Sequence, residues 1–130
     1  QSERGYTGWT AYSRSKLMNL YFTYELARRL EGSGVTANAL HPGYVATNFG
    51  KSNGGFFRPL FRFFQLAAIS PEEGARASIY LASSPEVEGV SGKYFYKEGP
   101  IASSKVSQDQ EIARRLWQVS EQLCGIEQGK

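Results

Sequence analysis

The sequence predicts an α/β fold, and two observations lead there. Residues 11–31 carry a long helical pattern whose apolar face is too wide for a helix that touches one surface. That width calls for a sheet on one side and a helix on the other, from this chain or from a second subunit. Beyond Gly32 and Gly34 comes a short, half-apolar run, Val35 to Leu40, ending at His41-Pro42-Gly43. A helix feeding a strand, with a loop at the strand's carboxyl end, is the arrangement of an open α/β sheet, and ligands bind at that end.

The elements follow in order. Residues 1–10 are polar and contain glycine, and read as a loop. In the helix from Ala11 to Glu31, Leu17, Leu20, Tyr21, Tyr24 and Ala27 share one face, with Met18, Phe22, Leu26 and Leu30 beside it. Thr10 can cap its start; Arg28 and Arg29 suit the negative end of the helix dipole, and Gly32 and Gly34 stop it. After the strand at 35–40, residues 43–55 are rich in Gly, Asn, Ser and Thr, and read as a loop. Residues 56–69 are densely aromatic: Phe57, Leu60, Phe61 and Phe64 share a helical face, and Pro59 limits where that helix begins. Ser70-Pro71-Glu72-Glu73 is the cleanest helix start in the chain, with a cap, a proline at the first position and a Glu for a capping box. This helix is expected to run to Ser83 and to bury Ala75, Ile79 and Leu81 or Ala82. Lys93 to Tyr96 reads as a strand after Gly89 and Gly92. Residues 107–123 read as a final helix, capped by Ser107, with Ile112, Leu116, Val119 and Leu123 on one side.

Composition narrows the classes of function. A chain of 130 residues with 41% apolar and 14% aromatic side chains is globular and can bury a core. Fifteen basic against twelve acidic side chains give +3, too weak and too dispersed for a nucleic-acid surface, so no nucleic-acid partner is expected. Cys124 is the only cysteine, which rules out an internal disulfide or a cysteine-based metal site; a packing role is expected for it, in a reducing compartment. No run approaches ~20 uninterrupted apolar residues, the length of a spanning helix. The opening QSERGYTGW has neither an initiating Met nor a signal-like apolar run, so a targeting segment would lie upstream.

The chemistry concentrates at YSRSK. On a helix Tyr12 and Lys16 stack on one face, so the phenol and the ammonium reach the same small volume. A phenol with a reference pKa of ~10 is a poor base at neutral pH, and a nearby cation favours its ionised form. That is what a group moving a proton to or from a carbonyl oxygen requires. Tyr and Lys four apart also occur on ordinary exposed helices, so the spacing by itself leaves both readings open. The Pro-Gly loop and Thr47 downstream of it favour the chemical one, since a helix and the strand after it can offer both to one cleft.

Three stretches together carry a resemblance: AYSRSKLMNLYFTYELARRLEGSGVTANALHPGYVATNFG, then SPEEGARASIYLASSPEVEGVSGKYF, then EIARRLWQVSEQL. In that order they resemble the carboxyl-terminal half of the short-chain dehydrogenase/reductase family, in its retinol-dehydrogenase-like and WW-domain-oxidoreductase-like branch. The resemblance implies the carboxyl-terminal part of a Rossmann-like, three-layer, parallel-sheet fold, incomplete in this chain. Residues 1–130 would then form one portion of a single domain, and residues 43–69 its substrate-binding loop and lid.

The resemblance also implies roles. Tyr12 is the acid/base residue. Lys16 binds the nicotinamide-side ribose and lowers the phenol's pKa. Pro42 and Gly43 make the turn beneath the nicotinamide, Val45 gives a backbone contact to its carboxamide, and Thr47 a hydroxyl near the carboxamide or phosphate. His41, the only histidine, is a structural residue before that turn. By analogy NADP is the preferred cofactor, with NAD as the alternative, and the substrate is an apolar alcohol or carbonyl, retinoid- or lipid-like. The aromatic segment 56–69 would pack the molecule, cover such a substrate, or rest on a membrane surface with Arg58 and Arg62 outward.

The family's TGxxxGxG loop, and the Asn and Ser that complete its catalytic set, have no counterpart here, and Ser2 is not assigned that role. An amino-terminal half of the same fold is therefore the expected partner, and the chain is expected to be inactive without it. A homodimer through helix 11–31 is a further expectation. The expected location is cytoplasmic, or on the cytosolic face of a membrane. The rival reading is a non-catalytic, truncated chain that acts as a protein-interaction module.

Overall fold

A computed structural model of the chain describes residues 7–43 and 70–126. The elements, in chain order, are α1 (Gly8–Arg29), β1 (Ala39–His41), α2 (Pro71–Ser83), β2 (Tyr94–Tyr96), β3 (Gly99–Ile101) and α3 (Gln110–Cys124), with 3-10 turns at Pro85–Val87 and Val106–Gln108. The strands form a three-stranded sheet in the order β1-β2-β3. The described residues divide into two compact units, one of residues 7–39, 89–94 and 101–126, the other of residues 40–43, 70–88 and 95–100.

In the first unit, α1 starts three residues earlier than the sequence reading placed it. Thr7 is the cap, not Thr10: its backbone is extended and its hydroxyl accepts from the Thr10 amide at 3.2 Å. Nothing in Gly8-Trp9-Thr10 breaks a helix that Thr7 has already begun. At the far end Leu30 closes the helix, and Gly32 and Gly34 turn the chain at φ of 78° and 79°, a region that disfavours side chains.

The helix packs against α3 and against the turn at Val106–Gln108. Tyr21, 4% exposed, donates its hydroxyl to the carbonyl of Val106 at 2.9 Å. The Phe22 and Trp117 rings stack 5.3 Å apart, and the Arg29 guanidinium lies 4.6 Å from the centre of Trp117. Glu25 is buried, and its carboxylate accepts from Arg28 at 2.7 Å and from Arg29 at 2.8 Å.

Helix α3 begins at Gln110 rather than at residue 107. Asp109 caps it, because its carboxylate takes the amides of Glu111 and Ile112, both at 3.0 Å. Ser107, the expected cap, is buried in the preceding turn, where its hydroxyl donates to Ser103 and Ser104. The inward face also differs from the expected one. Ala113 is buried and Leu116, Trp117 and Glu121 are half-buried, while Ile112, Val119 and Leu123 are exposed. The aliphatic stripe lost to the residues that meet α1, among them Trp117, which touches Phe22 and Arg29. Cys124, for which packing was expected, is exposed at the helix end.

The strand expected over 35–40 shrinks to Ala39–His41 because side chains take the backbone groups before it. Asn38 donates to the carbonyl of Val90 and accepts from the amide of Lys93, and the Ala37 amide donates to the Ser91 hydroxyl. Gly92 N then bonds Ala37 O, and Ala39 N bonds Lys93 O. The paired positions advance together along both segments, so β1 and β2 run parallel. Strand β3 was not expected, and it makes the sheet mixed. Lys97 and Glu98 alone join β2 to β3, so those two form an antiparallel hairpin.

In the second unit α2 starts as expected. Ser70 accepts from the Glu73 amide at 3.1 Å, and Pro71 occupies the first helical position. The carboxylate that answers Ser70 is that of Glu72, which lies below the ordinary carboxyl range through bonds from its own amide and from the Ser70 hydroxyl. Gly74 and Ala77 face inward, whereas Ala75 and Ile79 are exposed and Leu81 is half-buried. Ala77, Val87 and Phe95 are the buried apolar side chains among the described residues here. Phe95, 2% exposed, contributes about 1.5–3 kcal/mol by leaving water. The expected loop at 43–55, beyond Gly43, and the expected helix at 56–69 lie outside the described residues.

The Glu25 cluster carries a stability prediction. Burial raises its pKa, but the bonds and charges of Arg28 and Arg29 outweigh burial and leave it below the usual 4.5. The folded value lies below the unfolded one, so the unfolded chain takes up the proton first as pH falls. The stabilisation is complete above the unfolded value and is lost as pH drops through the folded one. Glu25→Gln is expected to cost about 1–3 kcal/mol near neutral pH and to remove that part of the acid loss. Urea unfolding at a series of pH values measures both.

Candidate active site

The first turns of α1 hold the two residues singled out for chemistry. The Thr7 cap fixes the start of the helix, and four positions of rise place Tyr12 and Lys16 on one side of it. The ammonium of Lys16 lies 5.3 Å from the centre of the Tyr12 ring. Both side chains are exposed, Tyr12 to 44%. From the other side in sequence, Trp9 stacks on Tyr12, with ring centres 6.2 Å apart and planes inclined at 27°. Sequence reasoning did not single out Trp9. The available signal was its place three residues before Tyr12, the other neighbouring position on a helix face.

Pro42 and Gly43 belong to the second unit and follow β1 directly. Gly43 has φ of 83°, where an added Cβ is strained. Pro42 is one wall of a cavity of about 210 Å³, with Arg76, Tyr96, Lys97 and the carboxylates of Glu73 and Glu98. His41 sets its ring against that of Tyr96, with centres 5.8 Å apart. Val45 and Thr47, and with them all of the proposed loop and lid at 43–69 except Gly43, lie outside the described residues. Tyr12 and Lys16 are thus brought together on one helix, while Pro42 and Gly43 follow β1 in the other unit.

A larger cavity, about 840 Å³, opens in the first unit beside Tyr24, Lys93, Tyr94 and Ser103. Tyr24 lies twelve residues along α1 from Tyr12, or about 18 Å of helix, so this space is not at the Tyr12–Lys16 pair. Burial, and to a lesser degree the neighbouring Tyr24, pushes the Tyr94 hydroxyl above the ordinary phenol range.

The chain is similar to known proteins. Residues 1–55, which contain Tyr12, Lys16, Pro42 and Gly43, match the short chain dehydrogenase family. The chain is 51% identical to human retinol dehydrogenase 14 over 130 residues, covering 96% of this chain and 38% of that protein. It is 46% identical to human retinol dehydrogenase 13, covering 95% of this chain and 39% of the relative. It is 40% identical to human retinol dehydrogenase 12, covering 97% and 40% respectively. The chain therefore spans about two-fifths of the length of the curated relatives it matches.

The turn at Gly43 yields a direct test. Gly43→Ala forces a Cβ into the left-handed region and is expected to cost about 1–2 kcal/mol, read as a lower urea midpoint. An unchanged midpoint would mean that the turn relaxes without penalty.

Proposed function

Since the chain belongs to the short-chain dehydrogenase/reductase family and corresponds to a carboxyl-terminal portion of its fold, we propose that it supplies the proton-transfer pair of a nicotinamide-dependent oxidoreductase acting on an apolar alcohol or carbonyl compound. The observation that carries this reading is the pairing of the Tyr12 phenol with the Lys16 ammonium on the exposed first turns of α1. The names of the relatives support a retinoid- or lipid-like substrate. The partner is the amino-terminal half of the same fold, and NADP is preferred over NAD by analogy with this branch.

Each proposed contact residue, taken by itself, has the chemistry that a nicotinamide nucleotide needs. Lys16 offers an exposed ammonium that can bond ribose hydroxyls, and Gly43 offers backbone without a side chain in the way. Val45 and Thr47 are the further proposed contacts. When bound, the nicotinamide gives a hydride to the carbonyl carbon or takes one from the alcohol carbon. During reduction Tyr12 gives its hydroxyl proton to the substrate oxygen as that oxygen gains negative charge, and is left as a phenolate. During oxidation the phenolate takes the alcohol proton. Lys16 stabilises the phenolate by its positive charge and holds the ribose, which fixes the reacting atoms relative to the phenol. Residues 43–69 would close over the apolar part of the substrate and exclude water.

No helix among the described residues is long and apolar enough to cross a membrane. Arg58 and Arg62 are the side chains proposed for contact with a membrane surface.

The test is Tyr12→Phe in the full-length enzyme. Loss of the proton donor should lower turnover about 100- to 10,000-fold, with the fold retained because the ring keeps its shape. Steady-state oxidation of an apolar alcohol with NADP measures it. Turnover equal to that of the parent would remove Tyr12 from the mechanism and favour the interaction-module reading.

A further inference from the structure

We draw no further inference here: the strongest candidate, the exposed apolar stripe of Ile112, Val119 and Leu123 on α3, carries none, because the chain spans about two-fifths of its relatives' length and nothing in the structure shows what covers that face.

Discussion

The pairing of α1 with α3 through Glu25, Arg29 and Trp117 is the contact on which the first unit depends. A carboxylate buried to 4% exposure would be costly if left unpaired. Here two guanidinium groups meet it, and one of them also lies over the Trp117 ring. Trp117 in turn donates its indole N–H to Glu121 and stacks on Phe22. Charge, hydrogen bond and ring contact therefore converge on a single patch near the carboxyl end of α1. The arginines that would serve the helix dipole in isolation serve this patch as well.

Anchoring α1 in its second half has a consequence for its first. Tyr21 and Glu25 are its buried residues, while Trp9, Tyr12 and Lys16 stand outward on turns ordered by the Thr7 cap and by their own contacts. A long helix held firmly at one end can present a reacting group at the other without burying it. The cavity beside Tyr24 and Tyr94 lies at the anchored end, and Tyr12 and Lys16 lie at the presented end. In the second unit the Pro42–Gly43 turn adjoins a small cavity with charged and phenolic walls, while the core beneath α2 is provided by Ala77, Val87 and Phe95.

What the sequence made legible follows from how local each signal is. The Ser70-Pro71 start and the Ser83 end of α2 were readable because the cap and the proline act within one turn. The YSRSK spacing put Tyr12 and Lys16 together because four residues on a helix always do. Readings that depended on a distant partner went astray. Ile112, Val119 and Leu123 look like a core stripe, but α1 meets the face with Trp117. Ile79 looks buried, but the side of α2 bearing Gly74 and Ala77 is the one that packs. Strand β3 carries Pro100, which argues against a strand, and its hairpin turn uses Lys97 at φ of 56° where Gly or Asn would have been the signal. Caps moved by three residues or fewer because Thr7 and Asp109 compete with nearby Thr10 and Ser107, and only the packed backbone chooses between them.

The central claim is that Tyr12 and Lys16 serve hydride transfer between a nicotinamide and an apolar carbonyl or alcohol. The most direct measurement follows the hydrogen itself. Full-length enzyme is incubated with all-trans-retinal and NADPH carrying deuterium on both C4 positions, and the alcohol product is weighed by mass spectrometry. The account predicts retinol one mass unit heavier than that formed with unlabelled NADPH, with the extra mass on the carbinol carbon. Unlabelled retinol, or none at all across a series of apolar aldehydes, would contradict it.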